Sequence, residues 1–295
     1  MQKIVPFIWF EDQAKEAVAW YVSLFPHSRI LSEAILPGTP NGDTHIVTFT
    51  LMGTEFQCMS AGSYAERNPS FSYMVACSTE AEVEELWSAL SIGAEILMPL
   101  EEYPFSRRYG WLKDKYGVSW QIMHDGGMPV QRIAPCLLFV GNVCGRAEAA
   151  MTKYCSLFPG SALLPGHISR YGDDQPPNVA GTLDYARFTL AGLEVVVMDS
   201  ALDHKFAFNE MQSLVVRCDD QAELDFLWEK LSYVPAAEQC GWLKDEFGVS
   251  WQMSSEKMEE YMSCGTQEQV LRMVQAFLPM KKLDMKKIEE AYRGE

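Results

Sequence analysis

Apolar residues recur along the chain with two different periods, and each period predicts a different kind of element. The apolar run Ile4–Phe10 and the alternating segment 44–51 are typical of strands. Between them, apolar residues three or four positions apart over residues 14–25 predict an amphipathic helix. The order strand, helix and then several strands occurs twice in each half of the chain. The pattern therefore predicts an α+β protein of four βαβββ modules.

The second half of the chain repeats the first. The segment GWLKDKYGVSWQ at residues 110–121 recurs as GWLKDEFGVSWQ at residues 241–252, with ten of twelve positions identical. A glycine- and proline-containing stretch at 124–131, with Gly126, Gly127 and Pro129, predicts the junction between the copies. We therefore predict repeat one at 1–128, repeat two at 129–254 and a tail at 255–295.

The tail is predicted to be helical. Thr266 and Gln269 have the spacing of a capping box, and an apolar stripe follows at Val270, Val274 and Phe277. Such a stripe is usually buried in its own chain, so we expect the tail to pack across the two repeats. A helix that binds a partner protein is the alternative.

Composition narrows the classes of function. Forty acidic against 24 basic residues give a net charge of −16, which argues against binding to nucleic acid or to an anionic membrane surface. The chain has no apolar run of membrane-spanning length, and its eight cysteines form no CxxC pair. We expect a soluble cytoplasmic protein with reduced thiols.

Three motifs connect the chain to a known family: FxxxAxxAxxWYxxLFP at 10–26, MDSALDHKFAFNE at 198–210 and CGWLKDEFGVSWQ at 240–252. With them the chain resembles the vicinal oxygen chelate (glyoxalase/bleomycin-resistance/dioxygenase) superfamily, and within it the PhnB-like family often labelled demethylubiquinone methyltransferase-like. The resemblance implies two tandem domains in which pairs of modules curve into cup-shaped sheets. Since single-repeat relatives commonly pair two chains, we expect an internal pseudo-dimer of repeats, with a homodimer as an alternative.

The methyltransferase label finds no support in the sequence. A nucleotide-like cofactor usually sits on a glycine-rich turn between a strand and a helix, and no turn of the GxGxxG type follows any predicted strand. Methyl transfer is therefore not expected.

The resemblance also implies where metal-dependent members would hold a divalent ion, namely on His, Gln or Glu side chains that face the cup. The matching positions on the opening strands are Val5 and Ala134, which cannot ligate, and those on the closing strands are Gln121 and Gln252. Neutral amides without charged companions bind hard ions weakly, so no metal or other cofactor is expected. The alternative is a metal-dependent lyase, isomerase or dioxygenase with the ion on Gln252, Glu210 or His204.

Strand alternation predicts which side chains face the cups. In repeat one these are Phe7, Trp9, Ser119 and Gln121, and in repeat two they include Ser250 and Gln252. We expect one cup in each repeat, with the aromatic residues concentrated in the first. This lining predicts a small apolar or aromatic ligand, bound without a metal. An interaction module with both cups packed shut is a further alternative.

Repeat two adds a cluster of polar residues near one strand end. Met198, Ser200 and Asn209 are ligand-binding candidates there, and Asp199 and His204 are weak candidates for acid–base catalysis. The alternative assigns Asp199 and Ser200 to capping a turn and His204 to anchoring the loop, because polar turn residues usually serve the backbone.

Overall fold

The computed structural model describes residues 2–125 and 132–295. The predicted junction with Gly126, Gly127 and Pro129 therefore lies outside the described residues. In the two described ranges, none of the helices has the length and apolar character needed to cross a bilayer.

The described chain contains fifteen strands and seven α-helices. The strands are β1 (Ile4–Phe10), β2 (Arg29–Thr39), β3 (Gly42–Leu51), β4 (Thr54–Ser60), β5 (Phe71–Cys77), β6 (Glu95–Tyr103), β7 (Ser106–Lys113), β8 (Ser119–His124), β9 (Ile133–Val140), β10 (Ala162–Arg170), β11 (Leu183–Leu190), β12 (Leu193–Ser200), β13 (Gln212–Arg217), β14 (Trp242–Lys244) and β15 (Ser250–Ser254). The helices are α1 (Ala14–Leu24), α2 (Glu80–Leu90), α3 (Ala147–Leu157), α4 (Gln221–Leu231), α5 (Glu256–Cys264), α6 (Gln267–Phe277) and α7 (Met285–Arg293). The fold is α+β, as predicted.

Side chains at the helix starts explain where several helices begin. Thr79 accepts a hydrogen bond from the backbone N–H of Glu82 at the start of α2, and Asp220 does the same for α4. At α6 the capping box predicted for Thr266 and Gln269 is confirmed, with both reciprocal hydrogen bonds formed.

The strands form two sheets, and each sheet combines strands of both repeats. Sheet A has the order β14, β15, β13, β1, β4, β3, β2, and sheet B the order β10, β11, β12, β9, β5, β8, β7, β6. The halves of sheet A join where β1 and β13 pair antiparallel, with Ile4 opposite Val216. We call the concave faces cup A and cup B. The first module thus shares cup A with the fourth, and the second shares cup B with the third.

This pairing makes the expectation of one cup per repeat wrong. The two repeats have nearly identical edge strands. A module can therefore form the same backbone hydrogen bonds with a module of its own repeat or with one of the other repeat. As a result Phe7 and Trp9 share a cup with the closing strand of repeat two, not with Gln121.

Each repeat is nevertheless tied together by a buried carboxylate in its repeated motif. Oδ2 of Asp114 accepts hydrogen bonds from the hydroxyl of Tyr21 on α1 at 2.7 Å and from the indole of Trp120 on β8 at 2.9 Å. Asp245 repeats this geometry in the second half, and each carboxylate also accepts two backbone N–H groups of its own turn. The motif therefore recurs because it joins the first helix of a repeat to its last strand.

The fourth module and the tail break the symmetry of the two cups. Where the second module has β6, the fourth has only a short 3-10 turn at Pro235–Ala237. The tail covers this side, and α5 and α6 both pack on β2. The predicted stripe of Val270, Val274 and Phe277 is buried there. Cup A is therefore covered by helices, and cup B by the β6–β7 hairpin.

Candidate functional site

Cup A encloses a cavity of about 400 Å³, which we call cavity A. Its floor is the concave face of sheet A, and its cover is the C-terminal tail. The floor residues include Phe7, Trp9, Gln57, Met59, Val215, Trp242 and Gln252. The tail contributes Met258, Glu259, Met262, Phe277, Leu278 and Leu283.

Three aromatic rings form one wall of cavity A. The ring of Trp242 lies 5.7 Å from that of Phe7 and 5.8 Å from that of Trp9, both in edge-to-face arrangements. Tyr64 packs on the other side of Trp9 at 5.7 Å. The Trp9 indole N–H donates to the carbonyl of Gly62 at 2.8 Å, which fixes the ring in place. A fixed aromatic wall suits a planar apolar ligand.

The polar groups of cavity A are few. Nε2 of Gln252 donates to Oγ of Ser213 at 2.9 Å, and no other described residue hydrogen-bonds to Oε1 of Gln252. Glu210 is paired with Lys244 at 2.5 Å at the rim. Ser250, two residues before Gln252 on β15, is buried and does not line cavity A, and its hydroxyl donates to the carbonyl of Asn209 at 3.4 Å.

Cup B has the same motif residues, but their polar groups hydrogen-bond to other side chains of the protein. The hydroxyl of Tyr109 donates to Oε1 of Gln121 at 2.8 Å, and Nε2 of Gln121 donates to Oγ of Ser72 at 2.8 Å. The indole of Trp111 donates to Oγ of Ser119 at 2.7 Å. Burial raises the pKa of Tyr109, so it stays a neutral donor. The cup-facing amide and hydroxyl of β8 are thus already partnered.

Side chains of the β6–β7 hairpin pack beside Tyr109 at the edge of cup B, where Phe105 remains 62% exposed. The rings of Tyr103 and Phe105 pack against Tyr109 with centroids 5.5 and 5.0 Å away. Met198 also faces this cup, with its sulfur 3.7 Å from Sγ of Cys136. Ser119, Gln121 and Met198 are therefore together in cup B and separate from Phe7, Trp9 and Gln252.

The two catalytic candidates lie away from cavity A. Oδ1 of Asp199 accepts the backbone N–H groups of Gly145 at 2.6 Å and Ala147 at 3.2 Å, and Oδ2 accepts that of Leu183 at 3.2 Å. Burial raises the pKa of Asp199, whereas these donors lower it. These bonds agree with the alternative in which Asp199 holds a turn.

His204 and its neighbours likewise serve their loop. Nε2 of His204 lies 2.9 Å from Oγ of Ser200, and burial lowers the pKa of the imidazole. Asn209 donates to the carbonyl of Glu66 at 2.8 Å and accepts the N–H of Met211. The predicted polar cluster is therefore not a single site: Ser200 and His204 pair with each other, and Asn209 joins two loops.

Several residues of cavity A were missed by the sequence analysis. Trp242 lies across from Gln252 on the cup face, a position that strand alternation in the motif predicts. Gln57 and Met59 alternate on β4 in the same way. No sequence signal indicated that Met258 and Met262 of the tail would cover this cup.

Comparison with known proteins follows the duplicated architecture. The family model described as 3-demethylubiquinone-9 3-methyltransferase matches residues 2–123 and again residues 131–254. The chain belongs to this family. It carries two tandem copies of the PhnB-like family unit, and its fold is of the vicinal oxygen chelate type.

Solved structures show similarity at two levels. The PhnB protein of Bacillus cereus is 43% identical over 42% of this chain and 99% of its own, with a TM-score of 0.38. Glyoxalase I of Zea mays is 10% identical over 88% of this chain and 95% of its own, with a TM-score of 0.56, which shows a common fold. No curated protein matches the chain.

The residues of this PhnB-like chain do not fit the divalent ion that the superfamily implies. Nowhere in residues 2–125 and 132–295 do three His, Cys, Asp or Glu side chains gather as a ligand set. Val5 and Ala134 are buried and apolar, and both amide atoms of Gln121 are taken by Tyr109 and Ser72. Cavity A offers the neutral amides of Gln57 and Gln252, while Glu210 and Glu259 are paired with Lys244 and Arg217, and this is too weak a donor set for a hard ion.

Proposed function

We propose that this protein binds a small apolar or aromatic molecule in cavity A without a metal ion. The observation that carries the proposal is a cavity of about 400 Å³ with an aromatic wall of Phe7, Trp9 and Trp242 and an amide oxygen on Gln252 to which no described residue hydrogen-bonds. Small-molecule sites typically have volumes of roughly 300–1,000 Å³ and mostly apolar linings with a few polar groups.

The contrast between the two cups supports a single site in each chain. In cup B the buried phenol of Tyr109 occupies the place beside Gln121 and donates to its amide oxygen. In cup A the hairpin has no counterpart, and space remains beneath the tail. Because each cup combines strands of both repeats, the pairing also supports our view of the chain as an internal pseudo-dimer.

The family description names methyl transfer, but we do not extend that activity to this chain. The sequence has no glycine-rich turn of the kind that holds a nucleotide-like cofactor, and cavity A offers few polar groups for one. Binding without chemistry accounts for the site more simply.

The proposal is tested by a thermal-shift screen of apolar and aromatic compounds against the full chain, followed by calorimetry on those that bind. The matched variants are Trp242→Ala in cup A and Trp111→Ala in cup B, since each removes the same motif tryptophan. We expect W242A to weaken binding about tenfold, because an aromatic contact and its buried area are together worth about 1–2 kcal/mol. W111A is expected to retain the affinity.

Dialysis against EDTA provides the metal control. The affinity of wild-type protein is expected to stay the same after dialysis and after adding Zn, Ni, Fe or Mn. A loss of binding with EDTA would contradict the metal-free part of the proposal. If no compound in the screen shifts the melting temperature, or if only W111A loses binding, the assignment of the ligand site to cavity A is contradicted.

A further inference from the structure

We propose that the ligand of cavity A is a hydroxyaryl compound, with its hydroxyl group donating a hydrogen bond to Oε1 of Gln252. The inference rests on the proposed function and adds the chemical class of the ligand. It comes from comparing the two cups, which the duplication makes equivalent position by position.

In cup B, a side chain of the protein occupies the position that corresponds to the space beside Gln252. The repeated motif matches Tyr109, Trp111 and Gln121 with Cys240, Trp242 and Gln252. In cup B the phenol of Tyr109 lies in the cup, almost fully buried, and its hydroxyl donates to Oε1 of Gln121 at 2.8 Å. A hydroxyaryl group is therefore a built-in occupant of one of the two cups.

Cup A keeps the receiving amide but has lost the phenol. Nε2 of Gln252 donates to Ser213 at 2.9 Å, as Nε2 of Gln121 does to Ser72 at 2.8 Å. Cys240 aligns with Tyr109 in the sequence but lies in the turn before β14, with a φ of 52°, and its Sγ lies 3.1 Å from the carbonyl oxygen of Leu278 in the tail. Within the described chain nothing takes up the Oε1 of Gln252.

The space for such a ring is present as well. Cys240, Trp242 and Gln252 all line cavity A, so the cavity borders the residues that match the surroundings of Tyr109. The rings of Tyr103 and Phe105, which close cup B over Tyr109, belong to a hairpin that the fourth module lacks. Cup A thus has no counterparts of the three aromatic side chains that pack together beside Gln121 in cup B.

The chemistry of the free amide atom decides which ligands fit best. Because Nε2 is engaged by Ser213, the remaining atom of Gln252 is an acceptor, and it requires an O–H or N–H donor. An aromatic ligand without a donor would displace water from Oε1 and leave it unpaired, which lowers affinity.

The test compares 2-naphthol with 2-methoxynaphthalene by calorimetry on the full chain. These compounds share the ring system, and only the first can donate a hydrogen bond. We expect wild-type protein to bind 2-naphthol about three- to tenfold more tightly, the net value of one hydrogen bond. Gln252→Leu is expected to remove this preference by weakening 2-naphthol alone, and the matched Gln121→Leu in cup B to preserve it.

A variant in cup B tests the equivalence independently, should Q252L fail to fold. Tyr109→Ala removes the internal phenol, so p-cresol is expected to restore part of the lost melting temperature, about 2 °C more than 4-methylanisole does. Equal binding of the two naphthalene compounds to wild-type protein, a preference that survives in Q252L, or equal rescue by the two cresol analogues would overturn the inference. Equal binding would leave the proposed function standing, whereas no binding of either compound would contradict both.

Discussion

Replacing Arg217 with methionine is expected to loosen the C-terminal tail from sheet A. The Arg217 guanidinium is 2% exposed, and its Nε and Nη2 each donate to the carboxylate of Glu259 on α5 at 2.8 Å. Nη2 also contacts Glu55 at 2.5 Å, and Nη1 donates to the carbonyl of Gln2 at 2.9 Å. This one side chain therefore ties the start of the tail, which covers cavity A, to the sheet beneath it.

The structure gives the size of the expected effect. Removing one partner of a buried ion pair costs about 3–5 kcal/mol, because the remaining charge is left uncompensated. Glu55 and Glu259 are 14% and 20% exposed and reach some solvent, so we expect about 2–4 kcal/mol for Arg217→Met. Burial alone would lower the pKa of Arg217, but the hydrogen bonds to Glu259 and Glu55 raise it above its usual value, so the side chain stays charged.

Urea unfolding measures this loss, and limited trypsin digestion at Lys257 reports whether the tail itself is released. The control is Glu289→Gln, which breaks the exposed pair with Lys257 but keeps the cleavage site, and it should change the stability and the digestion little. The double variant R217M/E259Q should recover about 1 kcal/mol, since it removes one of the two uncompensated carboxylates. A loss below about 1 kcal/mol in R217M, together with unchanged digestion, would refute the reasoning.

Two further predictions concern the motif carboxylate and its neighbour. Asp114→Asn and Asp245→Asn should each lower the free energy of unfolding by about 2–4 kcal/mol, because the new amide N–H faces groups that themselves donate hydrogen bonds to the carboxylate. A loss below about 1 kcal/mol in denaturant titrations would contradict this. The hydrogen bonds of Lys153 and Arg146 hold the pKa of Glu246 below its usual 4.5, so Glu246 stabilises the fold above that pH and less as the pH falls through its depressed pKa. Glu246→Gln should therefore lower the free energy of unfolding at pH 7 by less than about 1 kcal/mol, and by less at pH 3 than at pH 7, whereas an equal loss at both values would exclude this linkage.

The sequence predicts the modules well because their signals are local. Strand alternation placed Gln121 and Gln252 on cup faces, and helix-cap chemistry placed the start of α6 at Thr266. The duplicated motif is visible in the sequence, and the structure adds the hydrogen bonds of its Asp114 and Asp245 to tyrosines and tryptophans.

The site depends on contacts that are distant in sequence, and these the sequence does not reveal. Near-identical repeats cannot indicate whether β1 pairs with β13 or with its own repeat, so Phe7 and Trp9 were assigned to the wrong cup. The absence of the hairpin from the fourth module leaves a space whose covering depends on where the tail docks. Local periodicity does not predict docking of this kind.

The most direct test of cavity A as the ligand site is a crystal structure of the full chain soaked with 2-naphthol. We predict electron density for the ring between the aromatic wall of Trp9 and Trp242 and the tail, with cup B still filled by Tyr109. Density only in cup B or on the outer surface, with cavity A holding nothing but solvent, would contradict the account.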